Sequence, residues 1–337
     1  AKTLFPYTTL FRSAFLVLSI SVSTFAFSSP LILSPKSFNV FSAYNYEKLL
    51  EGHKDEVTAL IYSPNGKYII SGSRDETVKM WDVSTRKNLK TFIGHNGTIN
   101  TLSYSKDGKY IASGSEDKTI NIWDVKTGKL FKSLIGHESE VVAVEFNPVK
   151  NELASLSVDN QVIIWDVKTG KKLLKLEGEK GVITSISYSP NGKELASAGI
   201  NEPIKIWNIE LGILKKIKTI GKDFQGSYID YNQNGTNIVI GNSKIIRIID
   251  VSNGKELKKF DKMDSSIVNV SYSPKNEYLL IGTGTTVQII NLKSGVEVTR
   301  LIGSNALFSP MENTLAISQG ENIKIIDFNY LLNQILK

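Results

Sequence analysis

The chain has 337 residues, with 41% hydrophobic and 22% charged side chains and a formal net charge of +7. It contains no cysteine, which excludes disulfides, thiolate metal sites, a cysteine nucleophile and lipid attachment to cysteine. Its histidines, His53, His95 and His137, are the only candidates for histidine catalysis or imidazole metal ligands. Residues 44–337 carry 37 basic and 33 acidic side chains, an excess too small to indicate a nucleic-acid partner, so we predict none.

The first segment, residues 1–13, contains the run TLFPYTTLFRS, which resembles the translation of a common sequencing adapter. We therefore interpret residues 1–13 as an adapter-derived artefact and leave them out of the fold prediction. On this interpretation the true N-terminus is missing, and any upstream domain is missing with it.

Residues 14–28 form an uncharged apolar run that ends in small residues, as the core of a secretory signal peptide does. The run is short for a membrane span, which needs about 20 residues. We predict a truncated signal peptide and a periplasmic or secreted protein. The alternatives are a membrane anchor or a buried strand, and the protein is cytoplasmic if the run is not an export signal. Residues 29–43, rich in Pro and Ser, are predicted to be a linker.

From residue 44 onward the sequence repeats with a constant period. Trp81, Trp123, Trp165 and Trp207 are spaced by 42 residues, and weaker Ile-Asp or Ile-Asn pairs continue the count to seven units. Within each unit, short alternating apolar runs are separated by turns such as Asn-Gly or Thr-Gly, which is typical of antiparallel hairpins. Four short strands per unit at this period predict a β-propeller, because one such unit cannot bury both of its faces alone.

Each of the first three units reads Gly-His, then Ser and Asp four residues apart, then Trp-Asp. This motif resembles the WD-repeat β-propeller family, and the resemblance covers residues 44–327, weakening toward the end. It implies an all-β fold, a seven-bladed propeller of four-stranded antiparallel blades. It also implies a buried hydrogen-bonded tetrad in each complete unit. The tetrads are His53, Ser71, Asp75 and Trp81; His95, Ser113, Asp117 and Trp123; and His137, Ser155, Asp159 and Trp165.

The later units depart from the motif. Unit 4 keeps the Ser and the Trp but has Glu179 and Asn201 where His and Asp should stand. Units 5 and 6 place Lys222 and Met263 at the histidine position and lack Trp, and unit 7 has lost about four residues of its first strand. We expect these units to depend on apolar strands and to form the less stable half of the ring.

Ring closure can also be predicted. Residues 45–50 precede the first Gly-His as the fourth strand of a unit does, so this N-terminal strand should join the last blade, whose own chain supplies three strands. Such an overlap removes exposed sheet edges. The C-terminal tail, residues 328–337, competes for the same place, but it lacks the Gly turn and resembles a short surface helix.

All three histidines occupy the same repeat position, so we assign them to structure and predict no catalytic residue, no cofactor and no metal site. The leading hypothesis is a monomeric, non-enzymatic scaffold for protein–protein interaction that presents its top face to a protein or peptide partner. The resemblance implies three partner-contact positions per unit: three and five residues after the His, and one before the tetrad Asp. These are Glu56, Thr58 and Arg74; Thr98, Asn100 and Glu116; and Glu140, Val142 and Val158.

Two alternatives stay open: the chain is the sensor or ligand-binding portion of a larger multidomain protein cut at the adapter junction, or, less favoured, a propeller-type enzyme.

A secondary hypothesis concerns the distribution of charge between the two faces of the propeller. In this family the turns between first and second and between third and fourth strands share the bottom face, and here lysines dominate them while the top loops are acidic. A solvated surface explains this pattern, and the alternative is weak attraction to an anionic surface such as a membrane or envelope polymer. The bottom-turn basic residues are Lys67, Arg86, Lys87, Lys106, Lys109, Lys126, Lys129, Lys150, Lys168, Lys171, Lys172, Lys193, Lys255, Lys275 and Lys293, against Asp107, Glu210 and Glu312.

Overall fold

A computed structural model describes residues 48–177, 181–209, 217–225, 227–261, 263 and 265–335. The predicted artefact, signal peptide and linker in residues 1–43 lie outside these ranges. So do Glu179 and the side chain of Lys222, the residues that replace the motif histidine in units 4 and 5.

The described strands form seven four-stranded antiparallel sheets, which confirms the predicted seven-bladed β-propeller. Strand β1 (Lys48–Leu50) belongs to the last blade, and blade 1 consists of β2 (Val57–Tyr62), β3 (Tyr68–Ser73), β4 (Val78–Asp82) and β5 (Asn88–Phe92). Blade 2 consists of β6 (Ile99–Tyr104), β7 (Tyr110–Ser115), β8 (Thr119–Asp124) and β9 (Leu130–Ile135). Blade 3 consists of β10 (Val141–Phe146), β11 (Glu152–Ser157), β12 (Gln161–Asp166) and β13 (Lys172–Glu177).

The second half of the ring has the same plan. Blade 4 consists of β14 (Val182–Tyr188), β15 (Glu194–Ile200), β16 (Glu202–Asn208) and β17 (Ile217–Gln225). Blade 5 consists of β18 (Tyr228–Tyr231), β19 (Asn237–Asn242), β20 (Ile245–Asp250) and β21 (Glu256–Phe260). Blade 6 consists of β22 (Asn269–Tyr272), β23 (Tyr278–Gly282), β24 (Thr286–Asn291) and β25 (Glu297–Ile302). Blade 7 consists of β26 (Ala306–Phe308), β27 (Thr314–Gln319), β28 (Asn322–Asp327) and β1.

Apolar packing between neighbouring blades holds the ring together. Within the described ranges, each blade-to-blade boundary has its own cluster of buried side chains. At the boundary of blades 1 and 2, Trp123 of blade 2 packs with Ile70, Val78 and Met80 of blade 1. The first strands of most neighbouring blades contact one another, so they line the centre of the ring. The blades are thus stabilised as a set, because each strand face is buried only against the next blade.

The glycine before the motif histidine is required by this packing. Gly94 has a φ of +157°, and a Cβ built on it would lie 3.1 Å from Cη2 of Trp123. A larger residue there would strain the backbone and press on the indole. The Gly-His pair is therefore a packing feature of the fold.

Residues 48–50 of the N-terminal strand close the ring, as the sequence predicts, and residues 45–47 of the predicted strand lie outside the described ranges. Strand β1 pairs antiparallel with β28, with Lys48 opposite Ile325 and Leu50 opposite Ile323. At the same boundary Asn305 Nδ2 of blade 7 donates to the backbone carbonyl of Thr58 in blade 1, at 2.9 Å. Strands β1 and β28, the first and last described strands, therefore meet within one blade.

The C-terminal tail forms helix α1 (Phe328–Ile335) instead of a strand. Asp327 Oδ1 accepts a hydrogen bond from the Tyr330 backbone N–H at 2.9 Å, which caps the first turn. Phe328 is only 1% exposed, and its ring centroid lies 4.9 Å from that of Phe308. The helix therefore buries one side against the cluster between blades 6 and 7, which the sequence alone does not indicate.

Blades 4 to 7 show what replaces the missing motif residues. In blade 4 the Trp207 indole N–H still donates to Ser197 Oγ at 2.8 Å. In blades 5, 6 and 7 buried or partly buried isoleucines stand at the tryptophan position. Strand β26 has three residues where β2 has six, in line with the predicted loss in unit 7. The lower stability expected for this half stays a prediction.

Candidate partner-binding site

The complete motif builds a polar tetrad beneath the top loops. In blade 1, His53 Nδ1 lies 2.8 Å from Asp75 Oδ2, and His53 Nε2 lies 2.6 Å from Ser71 Oγ. The Trp81 indole N–H donates to the same Ser71 Oγ at 2.7 Å. The corresponding distances are 2.7, 2.8 and 2.8 Å for His95, Ser113, Asp117 and Trp123, and 3.0, 2.7 and 2.7 Å for His137, Ser155, Asp159 and Trp165.

One protonation state satisfies every member of the tetrad. With a neutral imidazole, Nδ1–H donates to the carboxylate, the serine O–H donates to Nε2, and the serine oxygen accepts the indole N–H. Burial lowers the pKa of His53 and His137, although the hydrogen bond and the charge of the paired Asp act to raise it. Burial acts to raise the pKa of Asp75, but hydrogen bonds from Thr77, the Lys54 backbone and His53 outweigh it and lower the pKa to about 2. A neutral His and an ionised Asp therefore coexist at neutral pH.

The tetrad aspartate fixes both top loops of its blade. Asp75 Oδ2 accepts from the Lys54 backbone N–H at 2.9 Å, and Asp75 Oδ1 accepts from the Thr77 backbone N–H at 3.0 Å. Asn96 and Glu138 supply the equivalent N–H groups to Asp117 and Asp159 at 2.9 and 2.8 Å. The buried network thus holds the loop that carries the His beside the loop that carries the Asp.

This arrangement brings predicted contact residues together in pairs. In blades 1, 2 and 3 the residue before the tetrad Asp donates its backbone N–H to the carbonyl of the residue three after the His. The three bonds, each of 3.0 Å, run from Arg74 to Glu56, from Glu116 to Thr98 and from Val158 to Glu140. We call these residues the surface pairs. In blade 1 the pair also forms an ion pair, with Arg74 Nη2 3.0 Å from Glu56 Oε2.

Blade 4 continues the series with two residues that the sequence reasoning missed. Val182 and Ile200 lie 42 residues after Glu140 and Val158, and they face each other across β14 and β15. Val158, Val182 and Ile200 are 42%, 42% and 52% exposed, and we call these three the apolar patch. Counting the repeat one unit past the last complete motif would have found the additional pair.

Asn160 joins the two blades that carry the apolar patch. Its Nδ2 donates to the Gly181 carbonyl at 2.9 Å, and its Oδ1 accepts from the Ile183 backbone N–H at 2.8 Å. These bonds clamp the backbone on both sides of Val182 to the loop that follows Val158. The patch is therefore held in place although blade 4 lacks the motif His and Asp.

The position five residues after the His has a different role in the fold. Thr58 Oγ1 donates to the carbonyls of Gly72 and Ile99, and Asn100 Nδ2 donates to the Val141 carbonyl at 3.1 Å. The bonds to Ile99 and Val141 run from one blade to the next, and both donating side chains are half-buried near the axis. Val142 holds the same position in blade 3 without a polar group. Thr58 and Asn100 thus tie neighbouring inner strands together, which the repeat pattern alone could not show.

Two half-buried carboxylates lie on the inner strands. Glu145 Oε2 accepts from the Tyr188 backbone N–H at 3.0 Å, and Asp230 Oδ2 accepts from the Tyr272 backbone N–H at 2.9 Å, each across a blade boundary. Burial raises the pKa of Glu145 to about 8 and that of Asp230 to about 7. The sequence singled out neither residue, because Ser103 and Ser187 occupy equivalent positions in other blades and make similar bonds.

These carboxylates give an expected pH dependence. Because their folded pKa values exceed the ordinary values of about 4, folding favours their protonated forms, and their ionisation destabilises the propeller as pH rises from about 4 to 8. We expect Glu145→Gln and Asp230→Asn to raise the melting temperature relative to wild type at pH 8 more than at pH 5. Scanning fluorimetry across this range measures the difference, and a difference that does not change with pH would contradict the assignment.

Neither a helical membrane span nor a group of candidate metal ligands is found in the described ranges. No helix there is long and apolar enough to cross a bilayer. Among the same residues, no group of three or more His, Asp or Glu side chains is placed to hold a metal ion.

Comparison with protein families agrees with the geometry. A family model described as the IFT122 first beta-propeller matches residues 102–307, and one described as WD domain, G-beta repeat matches residues 45–82. Since the first match covers more than half of the chain, the protein belongs to the WD-repeat β-propeller family, and the predicted resemblance is confirmed. Propellers of this family are typically non-enzymatic scaffolds that bind protein partners.

Several curated proteins match short segments of the chain. A ribosome biogenesis protein BOP1 homolog of Aedes aegypti is 36% identical over 62 residues, or 18% of this chain. WD repeat-containing protein 18 is 43% identical over 47 residues in Mus musculus and 46% identical over 44 residues in Bos taurus, or 14% and 13% of this chain. The matched segments span only 7%, 11% and 10% of these relatives, so they reflect shared repeats.

Proposed function

We propose that this protein is a non-enzymatic scaffold that binds a protein partner over the top loops of blades 1 to 4. The observation that carries the proposal is the series of surface pairs. In blades 1 to 3 the tetrads repeat beneath the pairs, whereas the side chains of the pairs differ from blade to blade, and Val182 and Ile200 continue the series in blade 4 without a complete tetrad. Side chains that vary over a constant framework are free of packing demands, and exposed aliphatic clusters beside polar residues are typical of protein contact sites.

The chemistry of the site favours a partner with an apolar anchor beside basic residues. The apolar patch offers Val182 and Ile200 to such an anchor, and Glu138 and Glu140 lie in the adjoining top loop of blade 3. Opposite charge at the rim raises the association rate and selects the partner, while the apolar centre supplies most of the affinity. We further propose that the partner is met outside the cytoplasm, because residues 14–28 read as an export signal.

A set of top-face variants tests the proposal. We expect the apolar set Val182→Ser with Ile200→Ser, and the charged set Glu56→Ala, Arg74→Ala and Glu116→Ala, each to lower partner retention at least tenfold. The melting temperature should shift by no more than about 2 °C, because exposed substitutions change stability by only about 0.5 kcal/mol. Quantitative pull-down from an extract of the source organism, followed by affinity measurement with the retained protein, gives both readouts.

The matched control is Val149→Ser, an exposed aliphatic residue in a bottom turn. A true top-face partner is retained by this variant as it is by wild type. If every retained protein binds the apolar variant and the charged variant as strongly as it binds the wild-type protein, the top face is not the binding site.

A further inference from the structure

The bottom turns of blades 1, 2 and 3 form a strongly basic surface, separate from the top-face site. Across these six turns, all within the described ranges, Asp107 is the only exposed acidic residue, and it is paired with Lys109 at 3.0 Å. Lys172, expected in this set, does not belong to it, because its Nζ donates to the Gly136 carbonyl at 2.9 Å. We call the nine exposed basic residues of these turns the basic turn surface: Lys67, Arg86, Lys87, Lys106, Lys109, Lys126, Lys129, Lys168 and Lys171.

The aspartates of the Trp-Asp pairs do not cancel this charge. Asp82, Asp124 and Asp166 are half-buried and turned into their own turns. Asp124 Oδ1 accepts from the Thr127 backbone N–H at 2.6 Å and from the Thr127 hydroxyl at 2.7 Å. Even with these three counted, basic residues outnumber acidic ones by more than two to one in the six turns. The field on this side is therefore positive.

Two bulky apolar side chains project from the same side. Val149 in blade 3 and Met311 in blade 7 are 69% and 68% exposed, each at the tip of a turn between first and second strands. In blade 1 the corresponding residue is Asn65, whose Oδ1 caps the turn by accepting from the Lys67 backbone N–H at 3.0 Å. In blade 3 Asn147 takes over this role, accepting from the backbone of Val149 at 2.9 Å. The turn therefore does not need the Val149 side chain, which is left to face solvent.

Further apolar side chains follow the lysines at the bottom of the outer strands. Leu89, Leu130, Phe131 and Leu173 are 46%, 47%, 40% and 45% exposed, and each lies within two residues of a basic turn residue. Lysines beside exposed leucines, with two apolar tips at the turn ends, make an amphipathic surface. This composition matches the interface of an anionic bilayer, where cationic groups meet headgroups and apolar tips enter the acyl boundary.

We propose that the basic turn surface, with Val149 and Met311, docks the propeller on an anionic lipid bilayer. A nucleic acid could match the charge, but its phosphate backbone offers no apolar counterpart for Val149 and Met311. Docking by this side would leave the top face directed away from the membrane and open to a partner. The proposal does not depend on the top-face function, since the two surfaces use different loops.

Vesicle flotation of the full chain tests the docking. The probes are vesicles of phosphatidylcholine alone and of phosphatidylcholine with 30% phosphatidylglycerol, at 50 and 300 mM NaCl. We expect at least tenfold stronger binding to the anionic vesicles at low salt, weakening at high salt. Lys106→Gln with Lys126→Gln should reduce anionic binding about 25-fold, since one lysine near such a surface contributes about fivefold. Every variant carries residues 14–28, so comparison among variants cancels any contribution of that apolar run.

The apolar variant distinguishes a bilayer from a general polyanion. Val149→Ser with Met311→Ser should lower vesicle binding at least fivefold while leaving the melting temperature and the binding of heparin unchanged. The top-face control Val182→Ser with Ile200→Ser should bind vesicles as wild type does. Equal binding to neutral and anionic vesicles, or anionic binding that is insensitive to the loss of Val149 and Met311, overturns the proposal.

Discussion

Replacing Leu50 by Asp is expected to unfold the propeller, whereas the same change at the adjacent Leu49 leaves it folded. Leu50 is fully buried on the closing strand, in a cluster with Trp81 and Ile323, while Leu49 is 38% exposed on the other face of that strand. An unpaired carboxylate in this cluster costs several kcal/mol, a large part of the 5–15 kcal/mol that stabilises a typical domain. Loss of β1 would also expose the edge of β28 to pairing with other chains.

The measurement is thermal and urea unfolding followed by circular dichroism, with gel filtration to detect association. If Leu50→Asp is insoluble, Leu50→Ala should still lower stability by about 2–5 kcal/mol, as expected for a fully buried leucine. Leu49→Asp should stay within about 1 kcal/mol of wild type. Comparable stability of the Leu50→Asp and Leu49→Asp variants would show that the closing strand contributes little to the ring.

The overall fold could be predicted because the same strand and turn pattern occurs several times in the sequence. The 42-residue spacing of Trp81, Trp123, Trp165 and Trp207 marks four blades, and the turn residues mark the hairpins between them. The closing strand was also predictable, since residues 45–50 resemble the fourth strand of other units. The repeat was sufficient to predict the fold because each of blades 1 to 6 consists of short hairpins, in which the paired strands are consecutive in sequence.

The candidate site could be predicted only in part, because the contacts between blades differ from one boundary to the next and leave no repeating pattern in the sequence. Thr58 and Asn100 occupy positions implied to contact a partner, yet their polar atoms bond to the next blade. The roles of Glu145 and Asp230 depend on burial near the axis, where the equivalent residues are serines. Asn160 clamps the neighbouring blade from a loop, and only three-dimensional proximity reveals that contact.

The contacts of Asn160 show that the complete motif is one of two ways in which this ring fixes a top loop. Complete tetrads fix the surface pairs of blades 1 to 3, but in blade 4 an asparagine of the preceding blade fixes the loop that carries Val182. Loss of the motif in blade 4 therefore coincides with the change to aliphatic surface residues. In blade 4 the top loop thus carries different side chains while Asn160 of blade 3 holds its backbone.

Comparing Ser113→Ala with Ser197→Ala isolates the contribution of the histidine to a blade. Ser113 Oγ lies 2.8 Å from both His95 Nε2 and Trp123 Nε1, whereas Ser197 Oγ receives only the Trp207 indole among the corresponding described groups. Each buried group left unpaired costs about 1–3 kcal/mol. We therefore expect Ser113→Ala to lower the free energy of unfolding by about 2–5 kcal/mol and Ser197→Ala by about 1–3 kcal/mol, both measured by urea titration.

Hydrogen exchange should also show faster exchange of the Asn96 backbone N–H in Ser113→Ala, because His95 loses its hydrogen bond to Ser113 and holds Asp117 less firmly. Equal destabilisation with no change at Asn96 would mean that the tetrad does not position the top loops.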